Sequence, residues 1–246
     1  MSYISKVNIA NRANYGKQRS TSKIKYLVIH YTGNDGDTDE ANARYFKNNI
    51  VNASAHYFID DDSVTQSVPE NYVAWHCGGN KYPSCATSGG GKYHGICTNT
   101  NSIGVELCDT KKNGVYDFSD KTLENAVAFC KDIIKRYNIP MSNVIRHFDV
   151  VGKICPAPFV SNITAWNTFK ARLYSDIITT NTPSSTNNTI QKGDKVKVLV
   201  NKQYNGNSFR VYYNAYDVLK VSGDKITIGI GNTATCVTKA EYLQKL

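Results

Sequence analysis

Two apolar patterns alternate along the first two thirds of the chain. Residues 26–29 (YLVI) form a short continuous apolar run that ends in His30, and residues 103–107 (IGVEL) and 144–146 (VIR) read the same way, as buried-type strands. Elsewhere the period becomes helical. Leu123, Ala126, Val127, Cys130, Ile133, Ile134 and Tyr137 fall on one face and predict an amphipathic helix. Ser119 or Asp120 can cap its start, while Asn138 and Pro140 stop it. Trp166, Phe169 and Leu173 predict a further helix, and a shorter one covers residues 39–46. Strands alternating with helices predict an α/β body with a mixed central β-sheet flanked by helices.

The pattern then changes. Residues 179–189 (TTNTPSSTNNT) offer no apolar side chain to a core and read as a flexible linker. Beyond them, residues 196–200, 218–221 and 225–230 are short runs rich in branched side chains, the last two joined by the hairpin signal Ser222-Gly223-Asp224. A small closed or half-closed β-barrel buries such strands best. The expected organisation is a body over residues 1–175, a Thr/Asn/Ser linker over 176–190 and a small all-β domain over 191–246. No internal repeat is present.

Composition narrows this picture. The 246 residues are 41% hydrophobic and 11% aromatic, which excludes disorder as the main state. No run approaches the roughly 20 apolar residues of a membrane span. The first twenty residues lack an apolar core segment, so no signal peptide is expected. Seven cysteines, an odd number, argue against a full disulfide framework. The formal charge of +9 predicts a polyanionic partner: nucleic acid, an anionic membrane or cell wall. Residues 173–246 hold 9 Lys+Arg against 5 Asp+Glu, so the short tail carries nearly half the excess. A nucleic-acid partner would need a basic stripe on a recognisable motif, and none is seen.

Among the five histidines, His30 ends one apolar strand and His147 follows another, where site residues of α/β sheets collect. Cys155 comes eight residues after His147. Two imidazoles and a thiolate make a sound zinc set with a fourth position left for water, whose pKa the ion lowers to about 7. Taken singly, each of the three is by default a packed histidine or an inert thiol. Glu106 is a carboxylate among Val and Leu, suited to taking a proton from such a water and passing it to a leaving amine. Lys153 is close enough in sequence to Cys155 to aim a cation at the oxyanion of a tetrahedral intermediate.

The strings IHYTG, SAHYFID, AWHCGG, NSIGVEL and RHFDVVGKICPAP resemble, in this order, the type 2 zinc N-acetylmuramoyl-L-alanine amidases, which share a fold with peptidoglycan recognition proteins and phage lysozyme-like amidases. The resemblance covers roughly residues 23–173. It implies that His30, His147 and Cys155 hold Zn2+, with Glu106 as general base and Lys153 as oxyanion stabiliser. Some relatives carry a catalytic tyrosine immediately before the histidine matching His56. Here Ala55 stands there, which leaves the proton role to Glu106. Other relatives have Asp in place of Cys155, and non-catalytic recognition relatives often lack this ligand.

Ala55, His56 and His76 are the candidate substrate contacts, His76 as a groove residue in a Gly-rich loop, while His56 reads more readily as a hydrogen-bonded core histidine than as a contact. Cys77, Cys85, His94 and Cys97 cluster without any standard zinc-finger spacing, so a second metal is a minor alternative and a local disulfide another. Cys108, Cys130 and Cys236 fit buried apolar positions. The tail, opening with KGDKVKVL, resembles bacterial SH3-like wall-binding domains, with one or two of its crowded aromatics expected on an exposed face. The whole looks like a phage or prophage endolysin expected to be made without a leader and released onto a Gram-positive wall. It would use peptidoglycan as substrate, a wall polymer as the tail's partner, and neither nucleic acid nor membrane. A wall-recognition protein that binds without cutting, a host autolysin, and a glycosidase with paired carboxylates are the competing readings.

Overall fold

The apolar runs become neighbouring strands of one sheet. The computed structural model describes residues 3–174 and 190–246, and the chain divides into two units, Met1–Asn181 and Thr182–Leu246. The segment expected to be a linker lies, but for its last residue, outside the described residues.

In the first unit the strands are β1 Ser5–Val7, β2 Tyr15–Gln18, β3 Tyr26–Tyr31, β4 Tyr57–Ile59, β5 Val64–Gln66, β6 Tyr72–Ala74, β7 Ser102–Leu107, β8 Thr110–Lys112, β9 Val115–Asp117 and β10 Val144–Arg146. Six of them build a mixed sheet in the order β1-β5-β4-β7-β3-β10. The run β4-β7-β3-β10 is parallel, and β5 turns antiparallel to β4. The helices are α1 Asp39–Asn48, α2 Cys85–Ser88, α3 Asp120–Tyr137, α4 His147–Val151, α5 Ala157–Ser161 and α6 Ile163–Tyr174. The sequence pattern shows β3, β7, β10, α1, α3 and α6. It misses β4 and β5, which are three residues each.

Side-chain alternation gives the sheet two unlike faces. Leu27 and Ile29 on β3, Ile103, Val105 and Leu107 on β7, and Tyr57 and Ile59 on β4 share the main core with Ala126, Phe129, Cys130 and Ile133 of α3 and Phe169 and Leu173 of α6. Removing a side chain such as Ile133 from water stabilises the fold by about 1.5–3 kcal/mol. The residues between these positions, Val28 and His30, Gly104 and Glu106, and Phe58, therefore point to the opposite face.

Helix α3 starts where sequence says it should. Ser119 Oγ accepts the Thr122 amide (3.0 Å) as N-cap, and Asp61 Oδ1 accepts both Ser119 Oγ and Thr122 Oγ1. Asn138 ends it in the left-handed conformation at φ +49°, its amide donating to Ile134 O. No described helix is long and apolar enough to cross a membrane.

The second unit holds β11 Lys195–Val198, β12 Tyr216–Ser222, β13 Lys225–Ile230, β14 Thr233–Lys239 and β15 Leu243–Lys245, an antiparallel sheet in the order β14-β13-β12-β11-β15. Its core gathers Val196, Tyr216, Val218, Ile226, Ile228, Cys236 and Leu243. Gly223, at φ +62°, turns the β12–β13 hairpin, a left-handed backbone position that glycine takes without strain. Of the crowded tail aromatics, Tyr216 is buried, Tyr204 and Phe209 are half-buried, and Tyr212 and Tyr213 are exposed.

Candidate active site

Strand register assembles the site. His30 on β3 pairs with Glu106 on β7, and Glu106 pairs with Phe58 on β4, so these three side chains form a row across adjacent strands on the face away from α3. Neighbouring strands lie about 4.8 Å apart, and Glu106 Oε1 ends 3.8 Å from His30 Nδ1. On the other side of β3, β10 pairs in parallel with Arg146 beside Ile29. His147, the next residue, opens α4 and its ring centroid lies 4.7 Å from that of His30.

The junction that carries His147 is clamped. Arg146 Nη2 donates to Asp149 Oδ1 (2.8 Å), while Asp149 Oδ2 accepts the Arg146 amide (2.8 Å). Gly152 then reverses the chain at φ +85°, and Cys155 O accepts the Phe148 amide (2.8 Å), returning the thiol to the histidines. Cys155 Sγ sits 3.7 Å from His30 Nδ1. Donor atoms of His30, His147 and Cys155 all lie within 4.8 Å of one another, and they are the only such group of three or more among the described residues. The cluster Cys77, Cys85, His94 and Cys97 makes no second group; Cys77 and Cys97 pack in an apolar layer with Val28 and Ile145, and His94 is exposed. All seven cysteines are thiols, and Cys108, Cys130 and Cys236 are buried as expected.

The donors fit a metal ion. Both ring nitrogens of His147 are buried without a hydrogen-bond partner, as is Glu106 Oε2. Buried polar atoms are ordinarily satisfied, so a histidine with neither nitrogen bonded, set beside His30 and Cys155, calls for a ligand. Burial holds His30 well below the usual imidazole range, helped by His147, His76 and Lys153, and pushes His147 down to about 3. Both rings are thus neutral and keep a lone pair for a cation. Burial, then the neighbouring Glu106, pushes the Cys155 thiol up, so it would bind by giving up its proton.

Burial likewise raises Glu106 to about 8, against the opposing pull of the Lys153 ammonium. Glu106 and Lys153 both line a cavity of about 640 Å³ with Tyr31, Asp37, Tyr45 and Phe58. Lys153 and His147 also border a second cavity of about 370 Å³ beside Gly78 and Tyr82. Of the three metal donors, His147 is the one that borders either cavity.

The three expected substrate contacts fall elsewhere. Ala55 is packed with Ala43 and Phe58, and His56 is fully buried, its Nδ1 accepting the Gly104 amide (3.0 Å). Neither lines either of the two cavities. His76 is half-buried and lines neither of these two cavities. Its two ring nitrogens are engaged by His30 Nε2 and Ser102 Oγ, each at 3.0 Å, behind the donor cluster. Sequence reasoning also passed over Asp109, whose Oδ1 accepts Thr32 Oγ1 and the Gly33 amide, both at 2.7 Å, and so fixes the loop leaving β3. Its place two residues after β7 was the available signal, since strand ends collect site residues.

Residues 20–158 match the family model described as N-acetylmuramoyl-L-alanine amidase, a stretch that contains His30, Glu106, His147, Lys153 and Cys155. The chain belongs to this amidase family. Among its relatives, the N-acetylmuramoyl-L-alanine amidase CwlL of Bacillus licheniformis is 30% identical over 192 residues, 76% of this chain and 51% of the relative. BlyA of Bacillus subtilis (strain 168), also named as such an amidase, is 35% identical over 156 residues, 61% of this chain and 41% of the relative. The chain spans about half the length of the curated relatives it matches. Among solved structures, the PlyG catalytic domain aligns at 29% identity and a TM-score of 0.56, covering 75% of this chain and all of that one. A mutant endolysin from Bacillus subtilis aligns at 30% and 0.53, covering 70% and 99%. The amidase-family body is thus a mixed α/β fold of the kind seen in endolysin catalytic domains.

Proposed function

We propose that the chain is a zinc-dependent peptidoglycan hydrolase that cuts the amide joining N-acetylmuramic acid to L-alanine. The observation that carries this reading is the row His30–Glu106 beside His147 and Cys155, at the edge of a cavity that Lys153 also lines. Two imidazoles and a thiolate suit zinc and leave a fourth position open. When bound, zinc supplies Lewis-acid polarisation of a carbonyl and makes water acidic enough to attack near neutral pH.

Glu106 takes the proton of the attacking water at a carboxylate oxygen and delivers it to the leaving nitrogen of alanine. Its raised pKa suits both halves of that transfer, because a general base works best with a pKa near the operating pH. Lys153 turns its ammonium to the carbonyl oxygen and stabilises the negative charge that gathers there. Phe58 walls off the flank of Glu106, which keeps the carboxyl desolvated.

The same reading assigns residues 1–175 to catalysis, 176–190 to a linker and 191–246 to an SH3-like wall-binding domain of a phage or prophage endolysin. The basic tail and its exposed Tyr212 and Tyr213 support a wall polymer as partner, held by tethering that raises the local concentration of the body.

The test is a digest of purified Gram-positive walls, scored for new amino termini and new reducing ends. Release of alanine amino termini alone, lost on chelation and restored by zinc, is the expected result. New reducing ends would mean glycosidase chemistry, and wall binding with neither product would mean a recognition protein.

A further inference from the structure

His76 stands behind His30 in a chain of hydrogen bonds whose direction can be worked out. Ser102 Oγ lies 2.6 Å from Thr98 O, an acceptor only, so the one hydroxyl proton of Ser102 goes there. Ser102 Oγ is then left to accept, and its neighbour at 3.0 Å is His76 Nε2, which must carry a proton. A neutral imidazole with a proton on Nε2 has its lone pair on Nδ1. His76 Nδ1 is 3.0 Å from His30 Nε2, so His30 donates and carries its own proton on Nε2. Its lone pair is therefore on Nδ1, the atom that faces Cys155 Sγ at 3.7 Å and Glu106 Oε1 at 3.8 Å.

The seat of His76 is made for this ring. Gly104, directly beneath it on β7, has no Cβ; one added there would overlap His76 Cγ and lie 2.6 Å from Nδ1. Asn99 Oδ1 accepts the amides of His76 and Cys77 at 3.1 and 2.9 Å and pins the loop above. Gly104 pairs with Val28 in the same β3–β7 register that pairs Glu106 with His30, so seat and site share one frame.

We propose that His76 is a positioning residue: the Thr98–Ser102–His76–His30 chain fixes the His30 ring and holds its Nδ1 lone pair toward the metal. The proposal rests on the reading of His30, His147 and Cys155 as zinc donors. Outer partners of ligating histidines set ring tautomer and orientation, and losing one weakens metal binding roughly 10- to 100-fold.

Two readouts test it without catalysis. Long-range ¹H–¹⁵N spectra of the metal-free protein should place the His30 proton on Nε2, and His76→Leu should populate the Nδ1–H form. Chelator competition should show zinc bound roughly 10- to 100-fold more weakly by His76→Leu, with His76→Asn, whose amide oxygen can replace Nδ1 as acceptor, recovering most of the loss. Thermal melting of the metal-free variants separates this from unfolding. If His76→Leu does not fold, Ser102→Ala gives the same spectral readout. A wild-type His30 proton on Nδ1, or equal zinc affinity in His76→Leu and wild type, overturns the proposal. Should the wild type take up no zinc, the metal reading fails, and the position of the His30 proton still decides the hydrogen-bond chain.

Discussion

Glu106 Oε1 lies 3.8 Å from His30 Nδ1 because β3 and β7 run parallel with these two residues in register. The carboxyl is thereby held at the donor cluster by backbone pairing, with no loop to adjust. Glu106→Gln keeps the shape and removes the base. Turnover on purified walls, measured as amino-terminus release, should fall by roughly 10²–10⁴-fold. Cosedimentation with walls should be unchanged, and the metal-free protein should melt no lower than wild type, since a buried acid has been replaced by a neutral amide.

Lys153→Met should lower turnover by roughly 10²–10³-fold if the ammonium meets the developing oxyanion. It should also move the pH profile. The Lys153 charge lowers the Glu106 pKa, so removing it raises that pKa. The acid limb of the rate profile, which reports deprotonation of the base, should shift to higher pH. Lys153→Arg should leave the limb near its wild-type place.

Metal-free protein should lose stability as pH falls through 6. His30, His56 and His147 are all held below their ordinary pKa by burial. The unfolded chain therefore binds three protons near pH 5.5 that the folded chain refuses, and stability must rise with pH there. Glu106 works the other way: raised to about 8, it is protonated when folded and largely ionised when unfolded. Burial raises Asp39 and Asp109 too, in the same opposing sense. The balance is at most two protons, or about 2.7 kcal/mol per pH unit. Denaturant titrations at pH 6 and pH 5 should show that slope or a smaller one of the same sign, and saturating zinc should steepen it, because binding takes the proton off Cys155 and leaves the folded chain with fewer still.

The tail offers a separable test. A Cβ at Gly229 would overlap Thr233 O and press on Leu219, where β13 and β14 shift register. Gly229→Val should unfold or weaken the second unit, lowering wall cosedimentation while a soluble muropeptide is still cut at the wild-type rate. Wall binding by the intact tail should also weaken with salt, because the Debye length shrinks from about 10 Å at 0.1 M to 3 Å at 1 M.

The long elements were legible because their periods were long enough to read. Eighteen residues of α3 show the helical repeat and its caps at Ser119 and Asn138, and six-residue β3 and β7 stand out as apolar runs. The donor set was legible as residue types at strand ends. What sequence could not supply was direction. His76 sits in a glycine-rich string that reads as an exposed loop, and only Asn99 and the bare Gly104 backbone show why its ring lies behind His30. His56 follows the same logic, because its Nδ1 is committed to the Gly104 amide by pairing across strands far apart in sequence.

The alternation of β3 and β7 also limits how such a chain can diverge. Leu27 and Ile29 belong to the core, while Val28 and His30 face the opposite side. Inserting or deleting one residue within either strand exchanges the two faces, sending His30 or Glu106 under α3 and an aliphatic side chain to the cavity. Length changes are therefore lethal to folding and chemistry together inside these strands. Segments outside the strands, such as residues 32–38 and 78–84, carry no such face register, and it is there that new substrate preferences can be grafted with least disturbance to the donors.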